Sequence, residues 1–102
     1  MRVDVVGRNM EVTDAIREHA ESRAEKLPRY YDGVQQVTVT IEGDHHHQHG
    51  PFSVEMVVDV VRHEPMVSHA SDEDLYKAID TASHKSERQL RDFKERLREN
   101  KR

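Results

Sequence analysis

DEDLYKAIDTASHKSERQLRDFKERLRENKR, residues 72–102, is the stretch that organises the rest of the chain. Leu75, Ile79, Ala82, Ser86, Leu90, Phe93 and Leu97 follow one another at steps of three or four, which places a mostly apolar stripe along one side of a helix. That stripe needs a surface to cover. Lys77, His84, Arg88, Arg91, Arg98 and Arg102 keep a similar spacing on another side, interrupted by Glu95, and form a basic ridge. Ser71 with Asp74 three residues later fits a capping box, and Asp72, Glu73 and Asp74 suit the positive end of a helix dipole, so the helix is expected to start there.

The surface that the stripe covers lies upstream. Val37, Val39 and Ile41 alternate with Thr38, Thr40 and Glu42, and Phe52, Val54, Met56, Val58 and Val60 alternate with Ser53, Glu55, Val57 and Asp59. Period two with one apolar face is the mark of a half-buried strand, and two such runs joined across Gly43 to Pro51 predict an antiparallel pair. Arg62 to Pro65 offers a tight connection into a short strand from Met66 to Ala70. Met1 to Val6 is apolar and β-branched and stops at Gly7-Arg8-Asn9, so it reads as a further strand. Thr13 is an N-cap candidate, Ile16, Ala20, Ala24 and Leu27 recur at helical spacing, and Pro28 is expected to end or bend that first helix.

The order is β-α-β-β-β-α, an α+β fold with a four-stranded mixed sheet and two helices on one face. The first two strands are expected to be parallel across the helix, and the hairpins antiparallel. At 102 residues the chain is read as a single domain over residues 1–102, with 98–102 fraying as a basic tail. Hydrophobic residues make up 34% and charged ones 35%, so the core is expected to be thin. There is no cysteine, and no apolar run approaches the ~20 residues of a membrane span. The start, MRVDVVGRN, lacks the apolar segment of a signal peptide, which favours a cytoplasmic protein.

Charge is segregated. Residues 83–102 hold eight basic and four acidic side chains, net +4 in a chain whose total is −4, which leaves −8 on the remainder. A solvated helix face would explain such a run without any partner. Catalysis finds no support: the sequence has no cysteine nucleophile, glycine-rich phosphate loop, HExxH or serine elbow, so neither enzyme activity nor a cofactor is expected. His45, His46, His47 and His49 could capture zinc, copper or nickel, but adjacent histidines on a hairpin tip lack preset geometry, and a solvated loop that gains charge on mild acidification accounts for them better. A histidine-loop metal-binding or protein-interaction module on the same fold is the alternative reading. The ridge has no interleaved aromatic residues, so single-strand stacking is not indicated; evenly spaced cations suit the phosphates of a structured RNA, in a salt-sensitive manner.

VVGRNMEVTDAIREH, AEKLPRYYDG, QVTVTI and above all DEDLYKAID followed by K-x-x-RQL, taken together, resemble the short ribosome hibernation promoting factors, also called ribosome-associated inhibitor A or ribosomal subunit interface proteins. The resemblance runs over nearly the whole chain. It implies a double-stranded-RNA-binding-like fold whose partner is the small ribosomal subunit, in the channel used by mRNA and by A- and P-site tRNA. It also implies inhibition of translation under stress or in stationary phase, with no DNA and no membrane as partner. The family's basic contacts fall on Arg23 and Lys26 of the first helix and on Lys85, Arg88, Lys94 and Arg96 of the second, and Arg91 of the ridge joins them as an expected rRNA contact. Asp74 and Tyr76 match the family's D-[LM]-Y segment and are read as cap and helix packing. His19, Ala24, Ala82, Ser83 and Ser86 stand where larger apolar residues are usual, and Asp92 where a lysine is common. The chain stops after the basic helix, so no C-terminal dimerisation domain is expected.

Overall fold

Alternating apolar side chains of the strands come into register across the whole sheet. The computed structural model describes residues 1–43 and 51–100. Strands β1 (Arg2–Arg8), β2 (Val34–Glu42), β3 (Phe52–Val60) and β4 (Met66–Asp72) lie in the order β1-β2-β3-β4. β1 runs parallel to β2, and the two hairpin pairs are antiparallel. Val5, Val39, Met56 and Ser68 form one row across the buried face, and Val3, Val37, Val58 and Met66 the next. Because side chains alternate, the rows between them turn to the opposite face, where Thr38, Val57 and Val67 meet.

Both helices cover the same face. α1 (Asp14–Ala24) contributes Ala20 and Ala24 to the core, and α2 (Leu75–Glu99) contributes Leu75, Ala78, Ile79, Ala82 and Leu90. Complete burial of a side chain the size of Leu90 stabilises the fold by ~1.5–3 kcal/mol, so each aliphatic position counts in a domain this small. Ser83 and Ser86 are fully buried as well, with their hydroxyls satisfied. Ser83 donates to the Asp80 carbonyl at 2.9 Å, and Ser86 lies 2.9 Å from the Ser68 hydroxyl, which itself donates to the Ala82 carbonyl at 3.0 Å.

Element boundaries depart from expectation at four places. β1 continues through Gly7 to Arg8, since a glycine there lets the chain pass close to the Met10 carbonyl and Val12, and the turn comes at Asn9 with φ 58°. α1 stops at Ala24, ahead of Pro28; Leu27–Arg29 form a short 3₁₀ turn with the proline in its first turn, where a missing amide is harmless. Ser71 is not a helix cap. It stays in β4 opposite Ser53, its hydroxyl donating to the Phe52 carbonyl at 3.2 Å, and Asp74 caps α2 instead, accepting from the Tyr76 and Lys77 amides at 3.0 and 3.4 Å. Asp72, Glu73 and Asp74 therefore precede the first turn of α2, whose helical residues there include no acid. Finally, α2 stays helical through Glu99, past the expected start of fraying at Arg98; residues 101 and 102 lie outside the described residues.

Candidate nucleic-acid interface

At ~1.5 Å per residue the 25 residues of α2 make a rod about 37 Å long, and Leu90 is its last fully buried side chain. Beyond Leu90 the helix rests on the chain between α1 and β2 and on the β3–β4 turn. The edge of the Phe93 ring meets the Tyr31 ring at a centroid distance of 5.2 Å and His63 at 4.5 Å. The cations of α2 therefore lie on two flanks, separated by the crest of the helix.

One flank borders β4. Lys85 Nζ donates to the His69 carbonyl at 2.7 Å, and Gln89 Nε2 to the Val67 carbonyl at 2.9 Å. Arg88 is exposed and shares a shallow hollow with Lys85, Gln89, Asp92, Val67 and His69. Arg96 is exposed further along, about three turns after Lys85 and so on the same side of the helix. Asp92 places a carboxylate among these cations and weakens the positive field.

The other flank faces the 3₁₀ turn. The Arg91 guanidinium lies 5.8 Å from the centre of the Tyr30 ring, within cation–π range. Lys94 lines a hollow of about 310 Å³ with Pro28, Arg29, Tyr31, Asp32, Leu97 and Arg98. Arg29 and the two tyrosines that pack against the core were not among the expected contacts. The signal was Pro28, which turns the chain just before them and folds it back against α2.

Arg23 stands apart from both flanks. Its Nε donates to Asp80 Oδ1 at 2.8 Å, and His19 Nε2 reaches the same oxygen at 2.7 Å, so the three side chains fasten α1 to α2. An ionised carboxylate only accepts, which puts a proton on His19 Nε2. Tyr76, expected to serve helix packing, sets its ring edge-on to His19 at 5.0 Å. Partial burial works against the Asp80 carboxylate, but the His19 hydrogen bond and the Arg23 charge outweigh it and hold the carboxyl below its ordinary range. Lys26 is exposed just past the end of α1. Of the seven expected contacts, Lys26, Lys85, Arg88, Arg91, Lys94 and Arg96 are exposed and Arg23 is half-buried; Lys85 and Arg23 in addition bond within the fold.

His45, His46, His47 and His49 lie outside the described residues. Among the described residues, no group of three or more histidine, aspartate or glutamate side chains could hold a metal ion. No described helix is long and apolar enough to cross a membrane.

A basic helix seated on a β-α-β-β-β-α sheet agrees with what known proteins add. The model of the family described as Sigma 54 modulation protein / S30EA ribosomal protein matches residues 3–98. The chain belongs to that family. Several proteins that it resembles are named ribosome hibernation factors. The chain is 33% identical over 96 residues to a ribosome hibernation promoting factor of Azotobacter vinelandii, covering 94% of this chain and 85% of that one. It is 38% identical over 95 residues to a ribosome hibernation promotion factor of Deinococcus radiodurans, covering 88% of this chain but 47% of the other. A third, from Bacillus subtilis, is 32% identical over 95% of this chain and 50% of its own length, so the chain spans about half of these last two relatives. The crystal structure of the Thermus thermophilus Protein Y N-terminal domain superimposes with a TM-score of 0.77 at 34% identity, over 91% of this chain and 99% of that domain. A ribosomal subunit interface protein from Coxiella burnetii shares the fold, with a TM-score of 0.80 at 21% identity over 92% of this chain and 98% of its own.

Proposed function

We propose that the chain is a ribosome hibernation factor of the cytoplasm. It binds the small ribosomal subunit in the channel that carries mRNA and the A- and P-site tRNAs, and inhibits translation under stress or in stationary phase. The observation that carries this reading is the C-terminal half of α2, which presents Arg88, Arg91, Lys94 and Arg96 as exposed cations in a chain whose remaining sequence is net acidic. Cations on a straight rod contact successive phosphates of a structured RNA, and the acidic remainder disfavours the reverse orientation. No chemistry is needed: occupancy excludes mRNA and tRNA sterically. Lys26 assists from the end of α1, while Arg23 and Lys85 serve chiefly to hold the helices and the sheet edge in place.

Co-sedimentation with purified small subunits at low and raised salt tests the reading. Arg88, Lys94 and Arg96 changed together to Glu should lower pelleting at least tenfold and flatten its salt dependence, each lost phosphate contact reducing the slope of log K against log salt by roughly 0.7–0.9. Pelleting of the triple variant equal to that of the parent would sink the site assignment.

A further inference from the structure

The fold puts an aromatic ring and three cations around one small hollow that the sequence keeps far apart. Pro28, Arg29, Tyr31 and Asp32 come from the turn after α1; Lys94, Leu97 and Arg98 come from the end of α2. Three cations face a single carboxylate, and Pro28, Tyr31 and Leu97, all half-buried, supply apolar walls. Gly33 keeps the Tyr31 ring tucked in: a methyl group there would strike its Cε2 and Cζ. The Phe93 ring meets Tyr31 close to perpendicular, at 88°, and steadies it.

These walls and charges suit a ligand that is flat and apolar at one end and anionic at the other. A plain phosphate would gain nothing from Pro28, Tyr31 and Leu97. A duplex backbone could not enter: at about 310 Å³ the hollow sits at the small end of the ~300–1,000 Å³ range of ligand sites. The last carbonyls of α2 oppose an anion here, so the charge has to be met by the side chains and not by backbone amides.

We infer that this hollow receives one unpaired nucleotide of a structured RNA, its base against Tyr31, Pro28 and Leu97 and its phosphate among Arg29, Lys94 and Arg98. The inference rests on the RNA-binding reading above and adds to it a preference for a bulged or looped-out base. The absence of aromatic residues along the basic ridge does not exclude stacking, because the tyrosine arrives from another element.

Fluorescence anisotropy with two RNA hairpins, one fully paired and one carrying a single bulged uridine, provides the test, with subunit co-sedimentation run in parallel. The parent chain should prefer the bulged hairpin by at least about fivefold, the scale of one base–aromatic stack. Arg29→Glu with Arg98→Glu should abolish that preference. Tyr31→Leu should reduce it, with circular dichroism and a melting curve showing that the domain remains folded. Arg88→Glu, outside the hollow, should weaken both hairpins alike and leave the preference in place. Equal affinity of the parent chain for the two hairpins, with subunit binding intact, overturns the nucleotide site alone. Failure to bind either hairpin or the subunit overturns the RNA reading as well.

Discussion

Asp80 shows what reading along the chain leaves out for a single side chain. Arg23, expected on phosphates by its family position, also shares Asp80 Oδ1 with His19, a pairing across 57 residues that no local periodicity encodes. The cost of losing this clasp is moderate, since the Asp80 side chain is 33% exposed and water screens it. Asp80→Asn should destabilise the domain by ~1 kcal/mol at neutral pH, read as a lower urea midpoint. The pH dependence follows from the lowered Asp80 carboxyl. The folded state favours its ionised form, so this stabilisation is complete above the ordinary value of 3.8 and is lost as pH falls through the lower folded value. The gap between parent and Asn variant should therefore narrow from about pH 5 towards about pH 2. A gap that stays constant over that range would show that the carboxylate charge is not what fastens the helices. Ser86 was legible only in part. Its spacing put it on the buried stripe, but its hydrogen-bonded contact with Ser68 comes from β4 and needs the tertiary structure.

Among the elements, the strands were the most legible and the helix ends the least. Alternation from Val37 to Ile41 and from Phe52 to Val60 sets both face and pairing, because a slip of one residue would turn the apolar set outward. The start of α2 was misread since Ser71 and Asp74 both have capping side chains; β4 claims Ser71 through its register with Ser53, and Asp74 is left to cap. The same strand explains Lys85. β4 is an edge strand, and its carbonyls at Val67 and His69, on alternate residues, point to one side and receive Gln89 and Lys85 from α2. Two donors aimed at an open edge obstruct pairing with another strand. Lys85→Ala combined with Gln89→Ala should uncover the edge and make the protein self-associate at lower concentrations than the parent chain, as read by size-exclusion chromatography with light scattering. Lys85→Gln keeps a donor while removing the charge. If it stays as monodisperse as the parent yet binds subunits less tightly, Lys85 has a second role on RNA; unchanged binding assigns it to the edge alone.

For the molecule as a whole, sequence showed that positive charge gathers at one end of the chain but not which way it faces. The orientation depends on how the apolar stripe of α2 seats on the sheet, which leaves Arg88 and Arg96 on the β4 flank and Arg91, Lys94 and Arg98 beside Tyr30, Tyr31 and Arg29. If the field around α2 drives binding, the position of a charge matters more than the total of −4. Two charge reversals that change net charge equally separate these ideas. Asp92→Lys replaces the carboxylate that shares a hollow with Arg88, whereas Asp59→Lys falls on the face of the sheet turned away from the helices. With small subunits as ligand, Asp92→Lys should raise affinity several-fold at low salt and steepen the salt slope by about one phosphate contact, with the gain fading as salt screens it. Asp59→Lys should leave the slope unchanged, because counterions are released only where a cation meets a phosphate. Equal gains from the two would mean that net charge draws the protein to RNA without regard to orientation, and the assignment of α2 as the contacting rod would fall.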